Sequence, residues 1–417
     1  MKKKRILLHG IAFSPDGVST AYLYNDIALA FQKAGFEVTV LTTTPHYNVV
    51  QEELAKQPLK RNFLGLFYTS NFKGINVFHV PQKKFKSTLL RILGFAYWHF
   101  LAIILGLSLR RFDAILSPSP PLTIGFINLI IGKIRGSKVI YNVQEIYPDF
   151  LIEQGGLRSK LIINVLKWLE RSIYNNSDAV TTIDQVFYDT IIDRFSKKKK
   201  LHIIPNFVDS ELYKPLSESE VNLDNSVFFN NDSLKVMYAG NIGHAQDWTP
   251  LIEAAKQLKD SNVEFYVIGE GVMKDFIIEK KEELQLQKLH ILPYQQRERM
   301  PQLLAFSDLQ FIFMSKEMEG HGFPSKVYTI MSCKRPLIVC SGVNTPITNF
   351  LEPIGCAEII SENDFEKKVK RIVDFVDCAS EETLQVMGEK GYRAIQLNYT
   401  KEKVTNRYVN LINNLLS

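Results

Sequence analysis

Short apolar runs alternate with longer amphipathic segments along the first half of the chain. Residues 5–9 form one apolar run, and after the loop at residues 10–17 an amphipathic segment extends from about residue 19 to residue 34. Residues 37–42 are a second run, rich in β-branched side chains. The order strand, loop, helix, strand predicts a βαβ unit with parallel strands. Further strands are predicted at residues 112–116, 138–143, 178–183 and 201–204.

A second series of the same kind begins after residue 233. Residues 206–233 hold prolines, serines and asparagines with little periodicity, which indicates a linker. Strands are then predicted at residues 235–239, 263–268, 289–292, 309–313 and 336–340. The two series predict an α/β protein with two Rossmann-like domains, whose parallel sheets face each other across a cleft. We place the domains at residues 1–210 and 211–399, followed by a helical tail at residues 400–417 that can pack back on either domain.

The length and charge of the chain support this division. At 417 residues the chain exceeds the roughly 250 to 300 residues that one hydrophobic core supports. The net charge of +6 is unevenly distributed, because residues 1–205 hold 27 lysines and arginines against 14 acidic residues, whereas residues 206–417 hold 23 against 30. A basic half suits an anionic partner, either nucleic acid or a membrane surface with anionic lipids. The apolar residues around these charges favour the membrane, so we expect no nucleic-acid partner.

Residues 83–111 are the main reason for expecting a membrane surface. Residues 92–109 carry no formal charge apart from a possible charge on His99, and their number is at the threshold for a membrane-spanning helix. A spanning helix would place strands of one sheet on opposite sides of the bilayer, so we predict a segment that lies in the membrane interface. The alternative is a wholly buried core helix. The interfacial prediction assigns lipid contacts to Lys84, Lys86, Tyr97, Trp98, Phe100, Arg110 and Arg111.

The cysteines and the N-terminus bear on the compartment. Cys333, Cys340, Cys356 and Cys378 form no C-x-x-C pair, which indicates neither a zinc site nor a disulfide framework. The first ten residues have too short an apolar run for a signal peptide. We therefore expect a cytoplasmic protein that associates peripherally with the inner face of the cell membrane.

The clearest indication of phosphate binding lies in residues 319–336, EGHGFPSKVYTIMSCKRP. A glycine-containing loop that enters a helix presents unpaired backbone N–H groups at the positive end of the helix dipole, where anions bind. Lys326 adds a full positive charge there. The alternative is an ordinary capped loop with a solvated lysine.

Polar residues also follow two predicted strands of the first domain. Ser14, Asp16 and Gly17 lie in the loop after the first strand, at the sheet edge where ligands bind in open parallel sheets. A plain turn is the simpler explanation of Gly17. The residues predicted to form a substrate-facing rim after the strand at 138–143 are Gln144, Glu145 and Asp149. A capping or turn role is equally open for Asp149.

The order of these features resembles that of a known enzyme family. SPDGVS follows the first strand, NVQEIYPD lies late in the first domain, IPNFVD stands at the linker, YAGNIG opens the second domain, and GFPSKVYTIM precedes Pro336. In this order, and over essentially the whole chain, the motifs resemble the retaining GT-B glycosyltransferases of family 4. They look specifically like the colanic-acid-type and amino-sugar transferases that build bacterial surface polysaccharides.

The resemblance implies roles for individual residues. Lys326 would neutralise the diphosphate of a nucleotide-sugar donor without a metal, and Glu145 would orient the acceptor hydroxyl. The implied donor-binding residues are Gly17, Asn241, Gly243, Pro293, Tyr294, His321, Gly322, Phe323, Pro324, Ser325 and Thr329. The acceptor-binding residues that we predict are Ser14, Asp16, Gln144 and Asp149.

The sequence also departs from the family's pattern. The family commonly places two glutamates eight positions apart around the phosphate loop, the second of which holds the ribose hydroxyls, and here these positions fall on His321 and Thr329. A threonine cannot clamp a diol with a carboxylate. The Arg and Lys pair that usually follows the first strand of the second domain is absent from GNIGHAQDW. Lys326 is therefore the best cationic candidate for stabilising the leaving group.

The resemblance implies transfer of a sugar, an N-acetylated or deoxy hexose, from a UDP-sugar to a polyprenyl-diphosphate-linked saccharide in capsule, O-antigen or exopolysaccharide synthesis. The configuration of the sugar would be retained, and neither a cofactor nor a metal would be needed. One alternative is a non-catalytic, membrane-associated scaffold with a decayed donor site. A sugar-nucleotide epimerase of the same two-domain fold is the other.

Overall fold

The computed structural model describes residues 3–83, 87–153, 155–224, 227–228, 232–320 and 323–417. By its internal contacts the chain divides into two compact units. Unit 1 comprises the residues up to Asn206 together with Glu402–Ser417, and unit 2 comprises Phe207–Lys401. The chain thus passes from one unit to the other twice, and unit 2 is an insertion in the sequence of unit 1.

Unit 1 is built on a nine-stranded sheet. Its strands are β1 (Arg5–His9), β2 (Glu37–Thr43), β3 (Lys60–Asn62), β4 (Phe67–Phe72), β5 (Ile75–Val80), β6 (Ala114–Pro118), β7 (Lys138–Val143), β8 (Ala179–Thr182) and β9 (Leu201–Ile203). Its helices are α1 (Ser19–Lys33), α2 (Gln51–Lys56), α3 (Thr88–Ser108), α4 (Leu122–Arg135), α5 (Asp149–Glu153), α6 (Lys160–Asn176), α7 (Gln185–Ile191) and, at the C-terminus of the chain, α15 (Lys401–Leu416).

The strand order in unit 1 is β3-β4-β5-β2-β1-β6-β7-β8-β9. The pairs β3–β4 and β4–β5 are antiparallel, and every other pair is parallel. Strands β6 and β8 are buried along their whole length, as expected for a parallel sheet that is covered by helices on both faces. Because parallel strands end at one edge, the loops after β1 and β7 lie at the same carboxyl edge, where open α/β sheets bind ligands.

Helices α3, α4 and α6 cover one face of this sheet, with α4 in contact with both of the others. The inner side of α3 carries Trp98, Leu101 and Leu105, which pack with Ile127 and Ile131 of α4 in one buried cluster. The three positions on α3 are spaced by three and four residues, so they lie on one side of the helix.

Within residues 83–111, the helix α3 is neither wholly buried nor free of the core. Helix α3 is long and apolar enough to cross a membrane, but 28% of its most apolar window is buried. Trp98 is 0% exposed, whereas Phe100 is 63% exposed. The prediction that Trp98 anchors the chain in a membrane is therefore wrong, because its ring lies on the side of α3 that packs on the sheet. The other large apolar residues on the outward side of α3 are Leu89, Leu90, Ile92, Leu93, Tyr97 and Ile104.

Two further residues predicted to contact lipid, Arg110 and Arg111, follow the C-terminal end of α3. Arg110 is exposed, and the Arg111 guanidinium donates to the carbonyl oxygen of Gly136 at 3.1 Å. Lys84 and Lys86 lie outside the described residues, as do the predicted donor-binding residues His321 and Gly322.

The C-terminal helix α15 packs on unit 1. Its Tyr408 joins a buried polar group centred on Asn142, whose amide donates to the Tyr408 hydroxyl oxygen at 3.1 Å and accepts from the Tyr24 hydroxyl at 2.6 Å. The same amide donates to Thr181 Oγ1 at 2.9 Å. Buried polar groups are stable only when they are hydrogen-bonded, so this network fixes α15 against the ends of β7 and β8.

Unit 2 is built on a six-stranded, wholly parallel sheet with the order β12-β11-β10-β13-β14-β15. Its strands are β10 (Leu234–Ala239), β11 (Val263–Ile268), β12 (Leu289–Leu292), β13 (Leu309–Phe313), β14 (Leu337–Cys340) and β15 (Ala357–Ile360). Its helices are α8 (Thr249–Gln257), α9 (Lys274–Glu283), α10 (Met300–Phe306), α11 (Lys326–Ser332), α12 (Pro346–Leu351), α13 (Phe365–Cys378) and α14 (Glu381–Asn398). The order reverses between β10 and β13, which makes the carboxyl edge there the expected ligand site.

The two ends of unit 2 lie side by side. The backbone N–H of Val208 donates to the carbonyl oxygen of Tyr399 at 3.0 Å, and the N–H of Lys401 donates to the carbonyl oxygen of Val208 at 2.8 Å. The Lys401 ammonium also pairs with the Asp209 carboxylate at 2.5 Å. The entering and leaving segments are therefore joined by two backbone hydrogen bonds and one ion pair.

The α/β fold and every predicted strand are confirmed, with ends that differ by at most two residues. The prediction missed β3, β4, β5 and β15. Strand β4, FYTSNF, is half-buried at most of its positions near one edge of the sheet, so it lacks the continuous apolar run that marks the central strands.

Candidate functional site

Two glycine loops form the base of the candidate donor site in unit 2. GNIG at residues 240–243 follows β10 and GEG at residues 269–271 follows β11, so both lie at the carboxyl edge of the sheet. Gly269 has a φ of +151°, and a Cβ there would lie 1.9 Å from the carbonyl oxygen of Gly240. The N–H of Gly240 donates to the carbonyl oxygen of Ile268 at 2.9 Å. The two loops thus pack backbone against backbone, which glycine permits because it has no Cβ.

Lys326 begins α11 and brings its ammonium group to the first of these loops. Its Nζ lies 3.7 Å from the centroid of the Tyr238 ring, and a Cβ on Gly240 would lie 2.6 Å from Nζ. The Tyr238 hydroxyl donates to the carbonyl oxygen of Asn241 at 2.7 Å, which fixes the ring. Within the described parts of the chain, Lys326 forms no ion pair with a carboxylate. The ammonium therefore rests on an aromatic face and keeps N–H donors for a ligand.

The charge of Lys326 is sensitive to pH near neutrality. Burial lowers the pKa of its ammonium from 10.5 to about 7, because desolvation disfavours the charged form. A bound anion stabilises the protonated form, so ligand binding and protonation of Lys326 favour each other. A cation whose charge is not already balanced by a carboxylate can stabilise negative charge that develops on a departing phosphate.

The other described residues of the predicted phosphate loop have packing or backbone roles. The Phe323 ring packs edge-to-face on Phe350, with centroids 5.0 Å apart, and so points into the core of unit 2. Thr329 Oγ1 donates to the carbonyl oxygen of Lys326 at 2.8 Å, within α11. The two residues that precede the helix, partly or fully exposed, are Pro324 and Ser325. The contact of Thr329 with a ribose stays a prediction.

The predicted nucleotide-binding residues lie in loops at the same edge of the sheet. Asn241 is exposed in the GNIG loop, and the Gly243 carbonyl oxygen accepts from the Trp248 indole at 3.1 Å. Pro293 and Tyr294 follow β12, and the Tyr294 side chain is 60% exposed. Unit 2 thus brings Lys326 to the GNIG loop, with the segment after β12 at the same edge, as the sequence predicted.

Sequence reasoning missed the residues that shape this edge. Gly240, Gly269 and Gly271 make the close packing of the two loops possible, and Tyr238 supports the Lys326 ammonium. The glycines carried a usable signal, since each follows a predicted strand within three residues. Tyr238 carried none, because an aromatic residue inside a strand is ordinarily a core residue.

Asp16 organises the loop after β1 in unit 1. Its Oδ2 accepts from the backbone N–H groups of His46 and Tyr47, both at 3.0 Å, and its Oδ1 accepts from the N–H of Asn48 at 2.8 Å. The carboxylate is buried and joins the loops after β1 and β2 at the carboxyl edge. These bonds make Asp16 an anchor of the edge, and its contact with an acceptor stays a prediction.

Asp16→Ala should lower the free energy of unfolding of the protein by about 1–2 kcal/mol, because three partly buried N–H groups lose their charged acceptor. Denaturant unfolding of the variant measures this loss. Asp16→Asn is the matched control, since it keeps the size and one acceptor oxygen and should lose less. A midpoint for Asp16→Ala equal to that of the unmodified protein would contradict the anchoring role.

Ser14 and Gly17 are also engaged within unit 1. Ser14 Oγ donates to Gln57 Oε1 at 2.7 Å. The Gly17 N–H donates to the carbonyl oxygen of Asn48 at 2.8 Å, and the Gly17 carbonyl oxygen accepts from the Asn48 amide at 2.8 Å. The backbone N–H of Gly17 is therefore already used, and its approach to a donor phosphate stays a prediction.

Gln144 and Asp149 lie in the rim after β7, each with a polar partner. The Gln144 amide donates to Asn142 Oδ1 at 2.8 Å and accepts from the Asn206 amide at 3.0 Å. Asp149 forms an ion pair with Arg194 at 2.5 Å. Gln144 therefore continues the polar network of Asn142 to the surface of unit 1, and contact of either side chain with an acceptor stays a prediction.

Glu145 is the carboxylate of this rim with a shifted pKa. Burial raises the pKa of its carboxyl group, and a hydrogen bond with the Tyr147 side chain opposes the shift. Glu145 lies at the sheet edge where ligands bind, and its carboxylate shares a hydrogen bond with the Tyr147 phenol. A carboxylate in this position can orient a sugar hydroxyl by accepting a hydrogen bond from it.

The comparisons with known proteins agree with this arrangement. Residues 20–206 match the family described as glycosyl transferase 4-like domain, and residues 221–394 match the family described as glycosyl transferases group 1. The Escherichia coli protein named putative colanic acid biosynthesis glycosyl transferase WcaI is 22% identical over 378 residues, which cover 88% of this chain and 91% of that protein.

Two solved structures share the fold. Sucrose-phosphate synthase from Thermosynechococcus elongatus superimposes with a TM-score of 0.74 at 12% identity and covers 99% of both chains. Anabaena Alr3699/HepE in complex with UDP-glucose superimposes with a TM-score of 0.70 at 14% identity, covering 98% of this chain and 99% of that one. With two domain families in sequence order and this fold, the chain belongs to the GT-B glycosyltransferases that pair a glycosyl transferase 4-like domain with a glycosyl transferases group 1 domain.

Proposed function

We propose that the chain transfers a sugar from a UDP-sugar to a polyprenyl-diphosphate-linked saccharide, with retention of configuration, in the synthesis of a bacterial surface polysaccharide. The sugar is an N-acetylated or deoxy hexose, and the product belongs to a capsule, an O-antigen or an exopolysaccharide. Transfer takes place at the cytoplasmic face of the membrane and needs no metal ion.

The observation that carries this proposal is the position of the Lys326 ammonium. It lies over the Tyr238 ring and against Gly240, at the sheet edge where the strand order reverses. A nucleotide diphosphate leaves with negative charge on its outer phosphate, and a cation held ready at that point lowers the barrier to departure. The leaving phosphate itself can then accept the proton of the acceptor hydroxyl, while Glu145 orients that hydroxyl.

The relatives support the choice of donor and pathway. Anabaena Alr3699/HepE has been solved in complex with UDP-glucose, and its fold matches that of this chain. The Escherichia coli relative is named for colanic acid biosynthesis. These names support a UDP-sugar as donor and a surface polysaccharide as product.

A lipid-linked acceptor accounts for the outward side of α3. Leu89, Leu93, Phe100 and Ile104 expose apolar side chains along the length of a helix whose other side packs on the sheet. Such a surface suits an interfacial position, in which the helix axis lies in the plane of the membrane. The acceptor diphosphate would then reach the carboxyl edge of unit 1 from the membrane surface.

Thermal unfolding with a panel of UDP-sugars tests the donor. The true donor at about one hundred times its Kd should stabilise the folded chain by about 2.7 kcal/mol, which raises Tm by several degrees. ADP-sugars at the same concentration are the control. The best UDP-sugar is then incubated with a polyprenyl-diphosphate saccharide, and NMR of the product reports the anomeric configuration. Failure of every UDP-sugar to raise Tm, or an inverted product, would refute the proposal.

A further inference from the structure

We propose that α6 is a second membrane-docking helix of unit 1, which contacts the phosphate headgroups of anionic lipids through Lys167 and Arg171 while Leu161 and Trp168 enter the membrane interface. This inference rests on the membrane-bound acceptor of the proposed function. It adds a partner surface that lies on a separate helix from α3.

Helix α6 has two sides of opposite character. Its inner side carries Glu170, Ile173 and Tyr174, which are buried against unit 1. Its outward side carries Leu161, Ile162, Val165 and Trp168, of which Leu161 is 76% and Trp168 63% exposed. These four residues fall within one 120° sector of a helix with 3.6 residues per turn. A contiguous exposed apolar surface of this kind marks a contact with a partner or a membrane.

A basic stripe borders the apolar side of α6. Lys160, Lys167 and Arg171 are exposed, and their spacing of seven and four residues places them in one row along the helix. In the part of the chain that the structure describes, neither the Lys167 nor the Arg171 side chain forms an ion pair. An apolar face with lysine and arginine along its border is the pattern of helices that lie in the surface of anionic membranes.

A small polar cavity lies next to the basic stripe, and Lys167 and Arg171 are among the residues that line it. It measures about 170 Å³ and is lined by Asp149, Lys167, Glu170, Arg171 and Arg194. The carboxylates of Asp149 and Glu170 both form ion pairs with the Arg194 guanidinium, each at 2.5 Å. Three cations and two carboxylates line the cavity, which gives it a net charge of +1, and neither carboxylate is paired with Lys167 or Arg171. Phosphate oxygens are the natural ligands of such a pair.

Helices α6 and α3 belong to one layer of unit 1. Both contact α4, and both run back from the carboxyl edge of the sheet, since α3 follows β5 and α6 follows β7. Their inner sides pack on the same face of the sheet, so their outward sides face the same way. Two weak interfacial contacts on one rigid body bind a membrane more tightly than either alone.

Tryptophan fluorescence gives a direct test of α6. The chain has three tryptophans, of which Trp98 and Trp248 are 0% and 1% exposed, so a response to vesicles comes from Trp168. Adding phosphatidylcholine vesicles that contain phosphatidylglycerol should shift the emission to the blue and reduce quenching by acrylamide. Trp168→Phe should bind the vesicles but lose this response. An unchanged spectrum at saturating vesicles would overturn the proposal.

Vesicle flotation of two double variants measures how much the basic stripe and the apolar side of α6 each contribute to membrane binding. Lys167→Gln with Arg171→Gln should weaken binding to the anionic vesicles about 30-fold, since each cation near such a surface contributes roughly a factor of five. Leu161→Ser with Trp168→Ser should weaken binding at least about tenfold. The matched controls in unit 2 are Lys367→Gln with Lys370→Gln for charge, and Val386→Ser with Leu397→Ser for apolar exposure. Both controls should bind as the unmodified chain does.

The outcomes separate this inference from the proposed function. If the α6 variants bind vesicles normally while the chain still transfers sugar from a UDP-sugar, the inference fails and the proposed function stands. If the unmodified chain binds vesicles through α6 but transfers no sugar, the proposed function fails alone. If Leu161→Ser with Trp168→Ser turns a dimer into a monomer in sedimentation and leaves vesicle binding intact, α6 is a self-association surface and the inference is wrong.

Discussion

Replacing Lys326 with methionine should reduce turnover about 10²- to 10³-fold, the loss expected when a group that stabilises developing charge in a water-poor site is removed. Methionine is nearly as long as the lysine side chain and can rest on the Tyr238 ring, so the site should keep its shape. The desolvation that lowers the pKa of Lys326 is also relieved, and Tm at pH 7 should not fall. Initial rates with the preferred UDP-sugar and a melting curve measure the two effects.

Lys316→Met is the matched control for Lys326→Met. Lys316 is an exposed residue of the same β13–α11 connection and should leave turnover within about twofold of the unmodified rate. Near-normal turnover in Lys326→Met would remove this lysine from the mechanism. Loss of turnover together with a large fall in Tm would indicate a structural role instead.

The affinity of the enzyme for UDP should fall as pH rises through about 7. Lys326 has a pKa of about 7 in the free site, so its cation is fully present below that pH and is lost above it. The limiting slope is about tenfold per pH unit, since one proton is taken up with each ligand. Calorimetric titration with UDP at several pH values measures this slope, and in Lys326→Met it should vanish. A slope that persists in the variant would assign the pH dependence to another group.

Gly269→Ala should destabilise the protein by about 3 kcal/mol or more and abolish UDP binding. The new Cβ would lie 1.9 Å from the carbonyl oxygen of Gly240, a backbone atom that cannot rotate away. The φ of +151° adds strain, because side chains rarely adopt that conformation. Relief requires the two glycine loops to separate, which moves the backbone beneath Lys326. Chemical unfolding and calorimetry with UDP measure both losses.

Gly355→Ala is the control that has backbone strain from a positive φ but lacks the clash of a new Cβ with a backbone atom. Gly355 also has a positive φ, +68°, but the nearest atom to a Cβ there is the flexible end of Lys390 at 3.5 Å. This variant should lose only about 1 kcal/mol and keep its affinity for UDP. If Gly269→Ala resembled Gly355→Ala in both measurements, close packing of the two loops would not be needed for donor binding.

The alternation of apolar runs and amphipathic segments was enough to predict the α/β fold. Strands such as β14, LIVC, are buried at every position, so their sequences are continuously apolar and stand out from the helices. The edge hairpin of β3 and β4 was missed for the opposite reason. Its residues are half-buried or exposed, so they show no continuous apolar run. Their strand conformation depends on pairing with β5, a contact that the local sequence does not show.

The candidate site was predictable where backbone chemistry determines it. The sequence singled out Lys326 because a lysine at the start of a helix, after a loop that contains glycine, can bind an anion, but it did not show that the loops of Gly240 and Gly269 pack together. The roles of Asp16 and Trp98 could not be found in this way. Each depends on contacts with distant segments, in one case the N–H groups of residues 46–48 and in the other the packing of α3 on the sheet.

Helix α6 shows a further limit of sequence reasoning. Its sequence, KLIINVLKWLERSIYNN, has the spacing of an ordinary amphipathic helix that packs its apolar side on a sheet. In the structure, Glu170 is buried with Arg194, while Leu161 and Trp168 face outward. Glu170 can lie inside because it pairs with Arg194, which is 24 residues away in the chain, and shares a hydrogen bond with Tyr174.

Because the two ends of unit 2 lie side by side, we expect that unit 2 can be replaced as one segment. Residues 207–401 enter and leave through one small hydrogen-bonded junction at Val208, Tyr399 and Lys401, and the first half of the fold resumes directly with α15. A related glycosyltransferase could therefore donate its corresponding segment at these two cut points, without a break in either sheet. Under the proposed function, the preference for a nucleotide sugar would then move between enzymes together with unit 2, while unit 1 and its helices α3 and α6 stay as they are.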